Sequence, residues 1–234
     1  MIPRMSGSSS FRARFEGMVA RLREHPQVEI FACVVRPPAS EAALREIVDS
    51  FGYPIPPALA RFYSEHDGVF LEWGLRGREY SSRTAPFSYP DYGQPPGCIN
   101  LLPAREAMST AWEADYHVNE ISEEQHKRLF GGTPEPEPPV GSVCVDNFSK
   151  YNHADLILGP EPVMIVSTDH GADMEASDWA SVELYLDMTL ALYGLNRYSR
   201  GLGIGWSRKP QRRAEWSARP SLDEIIAWAE EDSE

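Results

Sequence analysis

Phe11, Phe15, Met18, Val19 and Leu22 recur at helical spacing behind a run of serines. That pattern predicts an amphipathic helix ending near His25-Pro26. Val28–Val35 is apolar and rich in β-branched residues, which predicts a strand stopped by Pro37-Pro38. Leu44, Ile47, Val48 and Phe51 form the stripe of a second helix, which starts after Ser40 and ends at Gly52, where a C-terminal cap belongs. Pro57 suits the first position of a third helix carrying Leu59, Phe62, Tyr63 and His66. Asp67-Gly68 ends that helix, and Val69–Trp73 reads as a short strand bounded by Gly74.

Residues 76–98 lose all periodicity and hold Arg76, Arg78, Tyr80, Arg83, Tyr89 and Tyr92, so a long surface loop is expected. Ile99–Leu102 predicts a short strand, and Pro103 opens a helix with Ala104, Ala107, Met108, Ala111 and Trp112 on one face. Ser122 and Gln125 form a capping-box pattern for another helix that Gly131-Gly132 closes. The run Thr133–Pro139 is a proline-stiffened spacer. Val143–Val145, Asp155–Leu158 and Val163–Ser167 predict three strands joined by turns. Ser181 caps a helix through Tyr193 that is apolar nearly all round, and so is expected to be buried. Residues 196–219 read as a Gly- and Arg-rich loop, and Ser221-Leu222-Asp223-Glu224 is a capping box before a closing helix.

This order predicts one α+β domain with extensions. The expected divisions are a tail at 1–10, a helix and strand at 11–37, the main domain at 38–195 with insertions near 76–98 and 113–139, and a basic arm and helix at 196–234. With 234 residues, 42% hydrophobic and 24% charged, the chain can bury a substantial core. The three cysteines, Cys33, Cys98 and Cys144, are odd in number and form no C-x-x-C pair. Reduced thiols in a cytoplasmic protein follow. The N-terminal residues lack the apolar core of a secretory signal, and no stretch has the length of a membrane span.

The segment Ser40–Trp73 resembles the opening of the SUKH superfamily. The likeness lies in a helix ending in Phe51-Gly52, then Ile55-Pro56, then Leu59 with Phe62-Tyr63, then a turn and an apolar strand. Asp67-Gly68 stands where that superfamily usually has Asn-Gly; both dipeptides suit the turn. Ala180-Ser181-Val182-Glu183-Leu184 is similar to its closing-helix signature, with Val182 in place of the usual Phe. The resemblance covers roughly residues 38–192. It implies a mixed or antiparallel sheet flanked by helices and a non-enzymatic, protein-binding role. Relatives include fungal cell-wall-synthesis regulators of the Smi/Knr type and bacterial immunity proteins that block toxins, many of them nucleases.

Other chemistries compete with this reading. Asp146, His153, Asp155, Asp169, His170 and Asp173 could serve a metal-dependent hydrolase, because His153 and Asp155 share one face of a strand. Turn residues that cap backbone or meet solvent are the plainer reading, and no H-E-x-x-H motif is present. Gly201, Gly203 and Gly205 follow a helix rather than a strand, which suits a crossover better than a phosphate cradle. Arg197, Arg200, Arg208, Lys209, Arg212, Arg213 and Arg219 either bind nucleic acid or fold back onto the chain's own acids, and the second is favoured by the overall sign. Tyr80, Tyr89 and Tyr92 either supply binding area or lie down as a lid over the core.

Charge sharpens the expectation. The formal net charge is −13, and residues 112–187 hold 16 acids against three bases, so the rest of the chain balances. An acidic face disfavours nucleic acid and anionic membrane, and it steers a basic partner. The expected function is an immunity protein occluding a basic, nuclease-like toxin. A regulatory or scaffolding protein of the same fold and the hydrolase are the alternatives. The expected partner residues are Glu120, Glu123, Glu124, Tyr89, Tyr92, Asp146, Asp169 and Asp173, with no catalytic residue, metal or cofactor.

Overall fold

The computed structural model describes residues 10–109, 142–158, 162–169, 174–176, 179–201, 216 and 219–231. Helix α1 (Phe11–Glu24) starts where the Ser10 hydroxyl accepts from the Ala13 N–H at 3.3 Å, and it buries Phe11, Phe15, Met18, Val19 and Leu22. Strand β1 (Val28–Val35) follows. Helix α2 (Glu41–Phe51) is capped by Ser40 and closed by Gly52 at φ 80, a left-handed conformation that glycine adopts without penalty. Helix α3 (Pro57–Glu65) has Pro57 in its first turn.

Strand β2 (Val69–Leu75) is buried along its whole length, and it runs through Gly74 rather than stopping there. The reason is packing: a Cβ on Gly74 would lie 2.7 Å from the Tyr80 ring, and the Tyr80 hydroxyl accepts from the Leu75 N–H at 2.8 Å. Gly74 marks a close approach, not a strand end. Strand β3 (Gly97–Leu101), helix α4 (Ala104–Ser109), and strands β4 (Ser142–Asp146), β5 (Asn152–Ile157), β6 (Val163–Asp169) and β7 (Met174–Ala176) come next. Helices α5 (Val182–Ala191), α6 (Arg197–Arg200) and α7 (Leu222–Glu231) complete the described elements.

The strands form one seven-stranded sheet in chain order, every pair antiparallel. The helix and strand at 11–37, read from sequence as an extension, are built into it. β1 pairs with β2, with a bulge between Ile30 and Ala32, and α1 packs against β1 and α5. The closing helix likewise sends Ile225, Ile226 and Ala229 into the same core. β7 was not anticipated; three residues are too few to carry a period-two pattern. The predicted helix at Ser122 and the spacer at 133–139 lie outside the described residues, as do Ala111 and Trp112.

The large core holds Trp73, Tyr63, Phe62, Phe70 and Tyr185, all fully buried. A Cβ on Gly97 would lie 2.1 Å from the Trp73 ring, so this glycine makes room for the indole opposite it. The indole N–H donates to the Tyr193 carbonyl at 2.6 Å, which satisfies its polar edge. Cys98 and Cys144 are buried, Cys33 is half-buried, and none is bridged. Among the described residues no helix is long and apolar enough to cross a membrane.

Candidate functional site: a tyrosine-bearing loop on a buried polar hub

Three polar side chains meet inside the fold. Asp146 ends β4, Tyr185 faces inward from α5, and Arg197 opens α6; all three are fully buried. The Asp146 Oδ2 accepts from the Tyr185 hydroxyl at 2.7 Å and from Arg197 Nη2, while Oδ1 accepts from the Asn100 N–H at 2.9 Å. Arg197 Nη1 donates to the carbonyls of Cys98 at 2.6 Å and Gly194 at 2.8 Å, and Phe148 lies 4.0 Å from the guanidinium. A buried charge needs this much pairing to persist. Burial acts to lower the Arg197 pKa, but the Asp146 carboxylate outweighs it and holds the guanidinium charged. The Tyr185 hydroxyl is pushed well above its ordinary range, by burial first and then by the Asp146 charge.

Asn100, one strand away, extends this hub to the surface. Its Nδ2 donates to the carbonyls of Ser88 at 2.8 Å and Asn147 at 2.7 Å, and its Oδ1 accepts from the Phe87 N–H at 3.1 Å. One side chain therefore ties the loop after β2 to the turn after β4. Further ties hold the same loop. The buried Glu72 accepts from the Thr84 N–H at 2.8 Å and pairs with Arg83 at 3.7 Å. Gln94 donates to the Phe148 carbonyl at 2.8 Å, and the Tyr89 hydroxyl donates to the Lys150 carbonyl at 2.9 Å. Phe87 sits at φ 64, unusual for an aromatic residue, with its ring against Phe70 and the cluster of Leu102, Ala107 and Cys144. An aperiodic segment is thus fixed at many points along its length.

What it presents outward is aromatic. Tyr89 is 53% exposed, Tyr92 55% and Tyr151 38%. The hydroxyls of Tyr92 and Tyr151 hydrogen-bond to each other, with the rings edge-on at 5.1 Å. The Lys150 ammonium lies 5.3 Å from the centres of both the Tyr89 and Tyr92 rings, and 3.9 Å from Asp91. Of the two sequence readings, binding area or lid, exposure favours the first for Tyr89 and Tyr92. Tyr80 takes the other course, edge-on to Phe31 and over Gly74. Tyr151 was missed by sequence reasoning; its signal was an aromatic residue inside a polar turn, Ser149-Lys150-Tyr151-Asn152.

The remaining site expectations fare differently. Asp146 was expected on a partner-binding face, and its side chain is fully enclosed and ion-paired, so it touches no partner. Asp169 pairs through its backbone with Met174 at the edge of β6. Glu120, Glu123, Glu124 and Asp173 lie outside the described residues. Arg197 belongs to the buried hub and not to an exposed basic arm. Arg200 also turns inward on the chain, to Glu231 at 2.9 Å and over Trp228, and Arg219 lies over Trp216.

His153 and Asp155 share a face of β5, as their spacing predicts, with Nε2 and Oδ2 3.2 Å apart. Ser167 also donates to Asp155, at 3.0 Å. The carboxylate thus sits between serine and imidazole, whereas a nucleophilic triad needs the imidazole in the middle. Among the described residues no group of three His, Cys, Asp or Glu side chains is placed to hold a metal ion. No family model matches the chain, and no curated protein matches it significantly.

Proposed function

We propose that the chain is a SUKH-like protein-binding module, acting without a cofactor in the cytoplasm as an immunity protein that occludes a basic, nuclease-like toxin. The observation that carries the binding role is the pinned loop and its exposed Tyr89, Tyr92 and neighbouring Tyr151. Tyrosine offers large, rigid contact area with few torsions to freeze, and a loop already fixed loses little further entropy on binding. Such anchors dominate interface energetics. The segment that resembles the superfamily's opening folds as α2, α3 and β2, with Gly68 at φ 100 before β2, and that order supports the family reading. A charge of −13 favours encounter with a basic protein.

The test is a growth assay. The chain is co-expressed with the toxin encoded beside it, as wild type and as Tyr89→Ala/Tyr92→Ala/Tyr151→Ala. Rescue by wild type and loss of rescue by the triple variant, with an unchanged far-ultraviolet circular dichroism, is the expected result. Failure of the wild-type chain to neutralise any cognate toxin removes the immunity role. A stable housekeeping complex recovered by affinity capture and lost in the triple variant assigns a regulatory or scaffolding role instead. Reversal of Glu120, Glu123 and Glu124 should slow association while leaving the fold intact.

A further inference from the structure

A second surface feature lies away from the tyrosines and shares no residue with them. Between α1 and α5 runs an open cleft of about 340 Å³, lined also by Arg219 and Pro220. Three of its lining residues are arginines, Arg14, Arg21 and Arg219, and Asp187 is the one carboxylate among the described residues that line it. On a chain of net charge −13, this is a local reversal of sign.

Each arginine is held in place. Arg14 is paired with Asp187 across the cleft, and its Nε is buried with no hydrogen-bond partner. Arg21 donates its Nε to the Tyr193 hydroxyl at 2.8 Å, with the guanidinium 5.5 Å from the ring centre. Its two Nη groups make no hydrogen bond among the described residues. Arg219 rests over Trp216 at 5.0 Å. Arg21, fixed through its Nε, keeps both Nη groups as planar, paired donors that match an oxyanion, and Arg14 and Arg219 add positive charge beside it. The floor is apolar, with the buried Met18 and Leu190.

Gly17 adds an independent observation. It lies in the middle of α1, where glycine is the poorest ordinary helix former. Close packing does not require it, since a Cβ there would meet nothing within 4 Å, and its φ is not in the left-handed region. A larger residue would be tolerated by the fold and would stand in the cleft. The glycine keeps open a space that folding alone has no need to keep.

We infer that the cleft between α1 and α5 binds a small organic oxyanion, its charged head on Arg14, Arg21 and Arg219 and its apolar body over Met18 and Leu190. Mixed polar and apolar lining and a volume of this order are what small-molecule sites share. The inference is independent of the partner proposed above. Because such a ligand would bridge α1, α5 and the segment at 219–220, it would bind the folded state alone and raise the melting temperature with concentration.

The full chain is titrated with phenyl phosphate, benzoate, inorganic phosphate and benzyl alcohol, followed by melting temperature and by the arginine Nε–H resonances. Phenyl phosphate or benzoate should bind at millimolar concentration or tighter, inorganic phosphate more weakly, and benzyl alcohol not at all. The relative strength of the first two tells a phosphate head from a carboxylate. Arg21→Gln should weaken binding about tenfold, the loss of one charge-assisted hydrogen bond. Gly17→Leu should abolish binding with its circular dichroism unchanged. Should that variant misfold, Arg219→Glu, at an exposed position, gives the same readout. Binding of neither phenyl phosphate nor benzoate overturns the inference. So does binding that survives Gly17→Leu or Arg219→Glu undiminished.

Discussion

Arg197 and Asp146 face each other across 51 residues of sequence, and neither side chain is reached by solvent. The pair joins the start of α6 to the end of β4. Removing one member leaves the other charge buried without its counter-charge, although Tyr185 and Asn100 still donate to Asp146. Arg197→Ala should therefore cost about 3–5 kcal/mol in urea denaturation. The apolar double replacement Arg197→Met/Asp146→Leu should cost much less than the sum of the two single replacements. Additive losses would mean that the two charges are not coupled.

Asn100→Ala removes the clamp between the loop after β2 and the turn after β4 without touching an exposed tyrosine. The partners it abandons, the buried Asn147 carbonyl and the part-buried Phe87 N–H and Ser88 carbonyl, should destabilise the chain by about 1–3 kcal/mol. Amide exchange at Phe87 should accelerate well before exchange in β2. Partner affinity should fall with it, because the loop would then have to be ordered on binding.

Gly97→Ala places a methyl group where the Trp73 ring already lies, 2.1 Å away. The indole is fully enclosed and donates to Tyr193, so it cannot swing aside freely. A loss of about 1–3 kcal/mol is expected, with a changed near-ultraviolet circular dichroism from the displaced indole. Gly77→Ala provides a contrast of a different kind. Its Cβ would meet nothing within 4 Å, so any loss there comes from the positive φ of 78 alone.

His66 is almost completely buried between Phe11 and Phe62, and its Nε2 has no hydrogen-bond partner among the described residues. Burial lowers its pKa below the ordinary 6.5; Glu65 opposes this more weakly, and Arg12 adds to the lowering. The folded state therefore holds the imidazole neutral while the unfolded chain takes up a proton. Stability from this residue is complete above 6.5 and is lost as pH falls below it toward the folded-state value. Melting temperatures followed from about pH 8 to 5 should decline, and His66→Phe should flatten part of that slope. An identical slope in the variant would exclude His66 as a contributor.

Much of the fold is legible locally because its signals are local. The Gly52 cap, Pro57 at a helix start, the Ser181 cap and the Ser221–Glu224 capping box each depend on residues within one turn, and all are present. β1 likewise begins and ends where its composition says. Gly74 misled because a glycine that admits the Tyr80 ring looks the same in sequence as one that ends a strand. Asp67 was read only as a turn residue, yet its carboxylate also accepts from the Ala104 N–H at 2.9 Å and caps α4 from 37 residues away. Asp146 and Arg197 misled for the same reason. A charged side chain is ordinarily solvated, and only a distant partner reverses that expectation. The tyrosine patch was half legible: two of its rings sit in one loop, and the third arrives from another connection.

Each strand pairs with its predecessor and successor in the chain, so every connection in the sheet joins immediate neighbours. A connection of this kind can lengthen without any strand changing partner. The entropy of closing it grows only logarithmically, by about 0.6 kcal/mol for each doubling in length. The loop bearing Tyr89 and Tyr92 and the turn bearing Tyr151 are two such connections, rooted in Asn100. Insertion or deletion at the rim can therefore change what these two connections present, leaving the register of the seven described strands untouched.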